Sequence, residues 1–180
     1  MGEYVLDEVM ISSENIGRRV TDLAGEIRQQ FAGRELIVAG VLKGAAIFLS
    51  DLVRAIGDSV DVRMDFLAVS SYGSGSTSSG AVKIVKDLDT LVEGRNVILV
   101  EDIMDTGLTL AYLREMLEAR DPACLKTCVL LEKPERKIVD SPIEYKGFTI
   151  PDKFVVGYGL DYAGRWRHLP DIWCVTESAG

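Results

Sequence analysis

What this chain has little of narrows it first. It carries a single histidine, His168, and no serine in a Gly-x-Ser-x-Gly setting, so a Ser-His-acid triad is without support. Its three cysteines, Cys124, Cys128 and Cys174, are an odd number in apolar, strand-like surroundings. That excludes a disulfide framework and suits buried thiols in a reducing compartment. The Cys-x3-Cys spacing has no second ligand pair to complete a zinc site. Positive charge is also short, with 28 acids against 20 bases and a formal charge of −8, which argues against a nucleic acid or a membrane surface as the main partner. No apolar run approaches the ~20 residues of a membrane span. Glu3, Asp7 and Glu8 with no apolar run behind them are not a secretory leader, so a cytoplasmic location is expected. No internal repeat is visible. Neither Gly-x4-Gly-Lys-[Ser/Thr] nor a Gly-x-Gly-x-x-Gly after a strand occurs, which removes the commonest phosphate loops.

What is present suffices for one well-cored domain spanning 1–180: the chain has 180 residues, 47% of them hydrophobic. Ser12-Ser13 can cap an amphipathic helix through Ile16, Val20, Leu23, Ala24, Ile27 and Phe31, with Gly33 as its stop. Leu36 to Leu42 reads as a buried strand, and Lys43-Gly44 turns it into a second helix through Phe48, Leu52 and Ile56. Val60, Val62, Met64, Phe66 and Ala68 alternate with Asp61, Arg63, Asp65 and Leu67, predicting a half-exposed strand with the first set in the core. The stretch 70–81 is nearly all Ser and Gly and cannot bury apolar surface. It is longer than a hairpin needs, so beside a passive hairpin loop an active-site lid with Ser71 and Tyr72 at its start is at least as good a reading. Val82 to Lys86 is the return strand, and Leu125 to Leu131 another buried strand. Phe154 to Tyr158 and Ile172 to Val175 add two short ones.

Between these lies the most informative stretch, Val97-Ile98-Leu99-Val100-Glu101-Asp102-Ile103-Met104-Asp105-Thr106-Gly107-Leu108-Thr109. Four β-favouring apolar residues predict a strand buried on both faces, whose carboxyl end is a natural ligand site in an open α/β sheet. The Thr-Gly turn opens a helix through Leu110, Leu113 and Leu117, ended by Asp121-Pro122. The free N–H groups of its first turn can hold a phosphate. Three acids there are out of place in a plain phosphate cradle. Glu101 and Asp102 can accept hydrogen bonds from sugar hydroxyls or face Mg²⁺, and Asp105 can move a proton. Taken singly, Asp105 reads better as a helix cap, and Glu101 and Asp102 as solvated strand-end acids. Asp-Thr-Gly alone does not make an aspartic protease, which needs two such carboxylates in an all-β setting.

Taken together, apolar strand, Glu-Asp, two apolar residues and Asp-Thr-Gly-x-Thr resembles the phosphoribosyl-diphosphate motif of the type I phosphoribosyltransferases. Val41-Leu42-Lys43-Gly44, Ser71-Tyr72, Leu130 to Pro134, Pro151 to Tyr162 and Arg167 resemble, in that order, the hypoxanthine-guanine phosphoribosyltransferase family. The resemblance implies an α/β fold with a central, mostly parallel sheet flanked by helices and a small hood from the terminal segments. It implies Mg²⁺-dependent transfer of 5-phosphoribosyl from phosphoribosyl diphosphate to N9 of hypoxanthine or guanine, by a dimer or tetramer. By the same resemblance Glu101 and Asp102 hold the ribose hydroxyls, and Asp105, Thr106, Gly107, Leu108 and Thr109 wrap the 5′-phosphate. Asp105 is the general acid/base, and Lys43, Gly44 and Arg167 line the diphosphate site. Lys133, Phe154 and Val155 receive the purine, with Asp161 beside them. Glu101, Asp102 and Asp161 face the metal. A regulator that binds without turnover would not need Asp105, Lys43 and Lys133, and a scaffold would not need acids at the strand end. Gly164 and Trp166 depart from the family pattern, where a longer polar residue and a smaller aromatic are expected.

Overall fold

The computed structural model describes residues 4–71 and 82–177. In chain order it has β1 (Tyr4–Ile11), α1 (Ser13–Phe31), β2 (Glu35–Leu42), α2 (Ala46–Ile56), β3 (Asp61–Ser71), β4 (Val82–Lys86), β5 (Asn96–Met104), α3 (Leu108–Glu118), β6 (Cys124–Glu132), β7 (Tyr145–Thr149), β8 (Val155–Val156) and β9 (Ile172–Glu177). Six strands form one sheet in the order β4-β3-β2-β5-β6-β7, parallel throughout except where β4 runs back along β3. A second, antiparallel sheet of order β1-β9-β8 joins the two ends of the described chain. The α/β fold with a mostly parallel sheet is therefore as the sequence implied.

The helices cover both faces of the larger sheet. Ser12 caps α1 by accepting the Asn15 N–H at 3.3 Å, and the helix buries Ile16, Val20, Leu23, Ile27 and Phe31. These pack with Phe48 and Leu52 of α2 over Leu36, Val38, Ile98 and Val100. On the opposite face Leu110, Leu113 and Leu117 of α3 cover Ile37, Ala39, Val41, Val97 and Leu99. Each such side chain contributes about 1.5–3 kcal/mol on burial. So β5, between β2 and β6, is apolar on both faces until Val100, and its polar end is held rigidly.

Three details differ from expectation. In β3 the sequence placed Met64 in the core, but Met64 is 50% exposed while Asp65 and Leu67 are buried. Both faces of this strand are partly covered: Leu67 joins the α3-side core, and Val62 and Phe66 pack on the other. Asp65 is drawn inward because its Oδ2 accepts the N–H groups of Asp89 and Thr90 at 3.0 and 2.8 Å. Second, α3 ends at Glu118, before Asp121-Pro122, and the chain runs on through tight turns in which Asp121 takes a φ of 50°. Third, β1 and β7 were not foreseen. Two register shifts and the acids Asp7 and Glu8 interrupt the alternation of β1, and β7 carries Gly147 at its centre.

Burial alone would raise the Asp65 carboxyl, but the Phe66 and Thr90 hydrogen bonds and the Lys86 charge hold it below its ordinary value. A folded value below the unfolded one gives stability that is full above the unfolded value and lost as pH falls through the lowered one. Asp65→Ala should cost about 1–3 kcal/mol near neutral pH by stranding the N–H groups of Phe66, Asp89 and Thr90. A urea midpoint unchanged from wild type would show that those groups find other partners.

Candidate active site

The site is built where β5 and β6 end. Alternation along β5 sends Val97 and Leu99 to the α3 face and Ile98 and Val100 to the other. Glu101 therefore leaves the sheet on the α3 side and Asp102 on the side of α1 and α2. Glu101 is 8% exposed, its Oε2 has no partner among the described residues, and burial beside Asp102 pushes its carboxyl well above the ordinary value. Asp102 is pushed up to about 6 by burial, although the Ile103 N–H and the Arg167 charge work the other way and Asp161 adds to the rise.

Past Met104 the chain turns at Gly107, whose φ of 82° is easy only for glycine. No side chain caps α3, and Thr106 Oγ1 accepts the Leu108 N–H only at 3.4 Å. The start of α3 thus borders a small recess of about 80 Å³ lined by Glu101, Asp105, Thr106, Gly107 and Thr109. Beside it opens a cleft of about 540 Å³. Asp102 and Asp105 line it from β5 and its turn, and Lys133 from the end of β6. Phe154, Val155 and Asp161 come from the segment that enters and leaves β8. The Lys133 side chain is only 9% exposed, yet its Nζ lies 3.5 Å from Asp152. Phe154 is half exposed, with its ring edge-on to Tyr162 at 5.8 Å.

A third element closes the Asp102 side. After β2 the turn at Lys43-Gly44 passes so near β5 that a Cβ on Gly44 would stand 1.7 Å from Asp102 Oδ2. Gly159 presses on the same turn, its own Cβ position 2.1 Å from Gly44 O. Arg167 then donates to Gly159 O at 2.5 Å and pairs with Asp161 at 2.6 Å. Tyr158 anchors this stretch to α2 by donating to Asp51 at 2.8 Å. Lys43 itself is exposed beside the turn.

The structure thus brings Asp102, Asp105, Lys133, Phe154, Val155 and Asp161 together, and Glu101 with the 105–109 turn in the adjoining recess. Gly44 and Arg167 adjoin Asp102 and Asp161. Ser71 ends β3 opposite Val82, whereas Tyr72 and the remainder of the expected lid to 81 lie outside the described residues. Among the described residues no three acids, cysteines or histidines converge as a metal cage. Glu101 departs on the other face, Asp102 and Asp161 are near neighbours, and both Asp161 oxygens are engaged, by Arg167 and the Gly164 N–H. Such a donor set fits a cation like Mg²⁺, which takes one or two carboxylates and completes its shell with ligand oxygens and water.

Two residues in the cleft were not singled out from sequence: Arg136, 2.8 Å from Asp105 through Nε, and Asp152. In the run Glu132 to Lys137 the sequence singles out only Lys133, at the strand end. The available signal was Pro134, which starts the 3₁₀ turn (Pro134–Arg136) that folds Arg136 back.

The phosphoribosyl transferase domain family matches residues 10–163. A hypoxanthine-guanine phosphoribosyltransferase of Aquifex aeolicus is 49% identical over 171 residues, covering 94% of this chain and 95% of that one. A hypoxanthine phosphoribosyltransferase of Salmonella typhimurium is 47% identical over 167 residues, covering 92% and 93%. Among solved structures, a hypoxanthine-guanine phosphoribosyltransferase of Bacillus anthracis, with a HEPES molecule in its active site, superposes with a TM-score of 0.90. It is 46% identical, with 96% of this chain and 100% of that one covered.

Proposed function

The chain belongs to the phosphoribosyl transferase domain family, and on that premise we propose that it is a purine-salvage enzyme making IMP or GMP from hypoxanthine or guanine. Phosphoribosyl diphosphate is the donor and diphosphate the leaving group. The observation that carries the reading is the convergence, in one cleft, of a nearly covered ammonium (Lys133), an aromatic ring (Phe154) and a carboxylate (Asp105) from three separate segments. A flat 6-oxopurine offers a partner for each: O6 for Lys133, its face for Phe154 and an N–H edge for Asp105. Val155 borders the same base site.

The 5′-phosphate belongs in the small recess, where Thr106, Thr109 and the N–H groups of Gly107 and Leu108 meet it at the positive end of α3. Glu101 and Asp102 are assigned to the ribose hydroxyls, and Lys43, Gly44 and Arg167 to the diphosphate. When bound, Mg²⁺ held by Asp102 and Asp161 together with the donor would neutralise charge on the diphosphate as it leaves. In the reaction the bond from ribose C1 to the diphosphate oxygen breaks with its electron pair, and N9 of the purine supplies the pair for the new C–N bond. Asp105 takes the proton that the purine loses, in the N7 region of the ring. An oxocarbenium-like carbon is open to water, so the segment 70–81, with Ser71 and Tyr72, is assigned as the lid that excludes it.

Residues 1–180 act in this reading as one catalytic domain, in a homodimer or homotetramer in the cytoplasm. The free thiols of Cys124, Cys128 and Cys174 suit such a compartment. No described helix is long and apolar enough to cross a membrane. Supplying hypoxanthine, guanine or xanthine in parallel with phosphoribosyl diphosphate and Mg²⁺ tests the reading. Nucleotide is expected from the first two, and none from any base would end it.

Lys133→Met keeps the length of the side chain and removes the ammonium. It should raise the KM for hypoxanthine at least about tenfold, the loss of one hydrogen bond to a charged group, and leave that for phosphoribosyl diphosphate unchanged. An equal loss for both substrates would make Lys133 a structural residue.

A further inference from the structure

Among the described residues, Arg136 is the one cation in the cleft to which the reading above gives no task. Its position is built by the chain between β6 and β7. The Arg136 N–H donates to Lys133 O at 3.2 Å, and beyond it Ile138 and Val139 both donate to Thr106 O, at 2.9 and 3.1 Å. The strap therefore lies directly on the 105–109 turn, so closely that a Cβ on Gly107 would come 2.3 Å from Val139 O. From its crest Arg136 reaches back into the cleft. Nε stands 2.8 Å from Asp105 Oδ1 and Nη1 3.7 Å from Asp152 Oδ2, while Asp152 Oδ1 is 3.5 Å from Lys133 Nζ. Asp105, Arg136, Asp152 and Lys133 thus form a row of alternating charge along one wall of the cleft.

Two features set this pair apart from an ordinary surface ion pair. Asp105 Oδ1 is covered and accepts no hydrogen bond among the described residues, so the guanidinium is held against it by charge rather than by an aligned N–H. Yet the Asp105 side chain as a whole is 41% exposed, so the cover is one-sided. One oxygen is taken and the other side of the carboxylate is open to the cleft.

We infer that Arg136 is a positioning residue for proton transfer: by pinning Asp105 Oδ1 it presents Oδ2 to the purine and, through Asp152, ties Asp105 to the lysine that receives O6. The inference rests on the assignment of Asp105 as the proton-handling group. As N9 bonds to ribose C1 and the diphosphate leaves with the C–O electron pair, the purine proton ends on Asp105 Oδ2. The neutral carboxyl then holds Arg136 less strongly, and Asp152 keeps the guanidinium in place while Asp105 gives the proton up to water before the next turnover.

The test is steady-state kinetics of the full chain with Mg²⁺, phosphoribosyl diphosphate and hypoxanthine, for Arg136→Gln, Arg136→Lys, Asp105→Asn and the Arg136→Gln/Asp105→Asn pair. Arg136 is half exposed, so these variants should fold, and thermal melts check it. Arg136→Gln should lower kcat about fivefold, the scale of an ion pair at this exposure, without moving the KM for phosphoribosyl diphosphate. Arg136→Lys keeps the charge but offers one point instead of a fork, and should restore part of the loss. In the Asp105→Asn background Arg136→Gln should cost nothing more, because its effect runs through Asp105. The inference is overturned if the two losses multiply, if kcat of Arg136→Gln equals wild type, or if only the phosphoribosyl diphosphate KM changes. No IMP from wild type would instead overturn the enzymatic reading, and full turnover by Asp105→Asn would overturn the role of Asp105.

Discussion

Asp105→Asn is expected to lower turnover by ~10²–10⁴, the usual share of a positioned general acid/base, while leaving the fold and phosphoribosyl diphosphate binding in place. Asparagine keeps the shape of the side chain but cannot accept the purine proton. The turn around it survives because its geometry is set by backbone. Gly107 supplies the left-handed φ of 82°, the Ala111 N–H donates to Gly107 O at 2.9 Å, and the strap residues Ile138 and Val139 both bond to Thr106 O. None of these bonds uses the Asp105 carboxylate. What the substitution removes structurally is an ion pair with a half-exposed arginine, worth at most about 1 kcal/mol at such exposure. A kcat loss without a change in the phosphoribosyl diphosphate KM is thus the expected split. Unchanged turnover would remove Asp105 from the chemistry.

Gly44→Ala should be as damaging by another route. The added methyl would stand 1.7 Å from Asp102 Oδ2, so either the Asp102 carboxylate swings away or the Lys43-Gly44 turn retreats. Retreat is opposed by Gly159, which already presses on Gly44 O, and Gly159 is in turn held by Arg167. The cheaper response is for Asp102 to rotate, because the clash is with the end of a side chain and not with backbone. The fold should therefore survive, and the cost falls on the ribose and diphosphate site. A displacement of about 1 Å there is enough for ~10² in kcat/KM for phosphoribosyl diphosphate. Gly159→Ala is the contrast. It places a Cβ 2.1 Å from a backbone oxygen at a φ of 105°, so it should lower thermal stability as well. Wild-type kinetics for Gly44→Ala would mean that the contact between the turn and Asp102 has no part in donor binding.

The elements that the sequence made legible are those where local pattern and tertiary role agree. The period of α1 runs from Ser12 to Phe31 without conflict, and the unbroken apolar run of β5 could only be a strand covered on both sides. The same alternation carries the site, since it fixes that Glu101 and Asp102 leave on opposite faces. Met64 and Asp65 were misread because burial in β3 is decided by the N–H groups of Asp89 and Thr90, more than twenty residues downstream, and no local period reports them. Strand β7 was missed because Gly147 lowers its propensity. It exists because β6 offers an edge and Arg19 on α1 reaches over to Lys146 O and Gly147 O. Arg136 is hard to pick out for a related reason: within Glu132-Lys133-Pro134-Glu135-Arg136-Lys137 only the turn begun at Pro134 separates the cation that reaches Asp105 from Lys137, which pairs with Asp140 instead.

The most direct measurement mixes the protein with Mg²⁺, phosphoribosyl diphosphate and a limiting amount of hypoxanthine, and counts IMP and diphosphate together, with a parallel sample lacking the base. One IMP should appear for each diphosphate, both should stop when hypoxanthine is exhausted, and the sample without base should release almost none. Diphosphate released at the same rate without hypoxanthine, or hypoxanthine left unconsumed with no IMP formed, would contradict the assignment of this cleft to purine phosphoribosyl transfer.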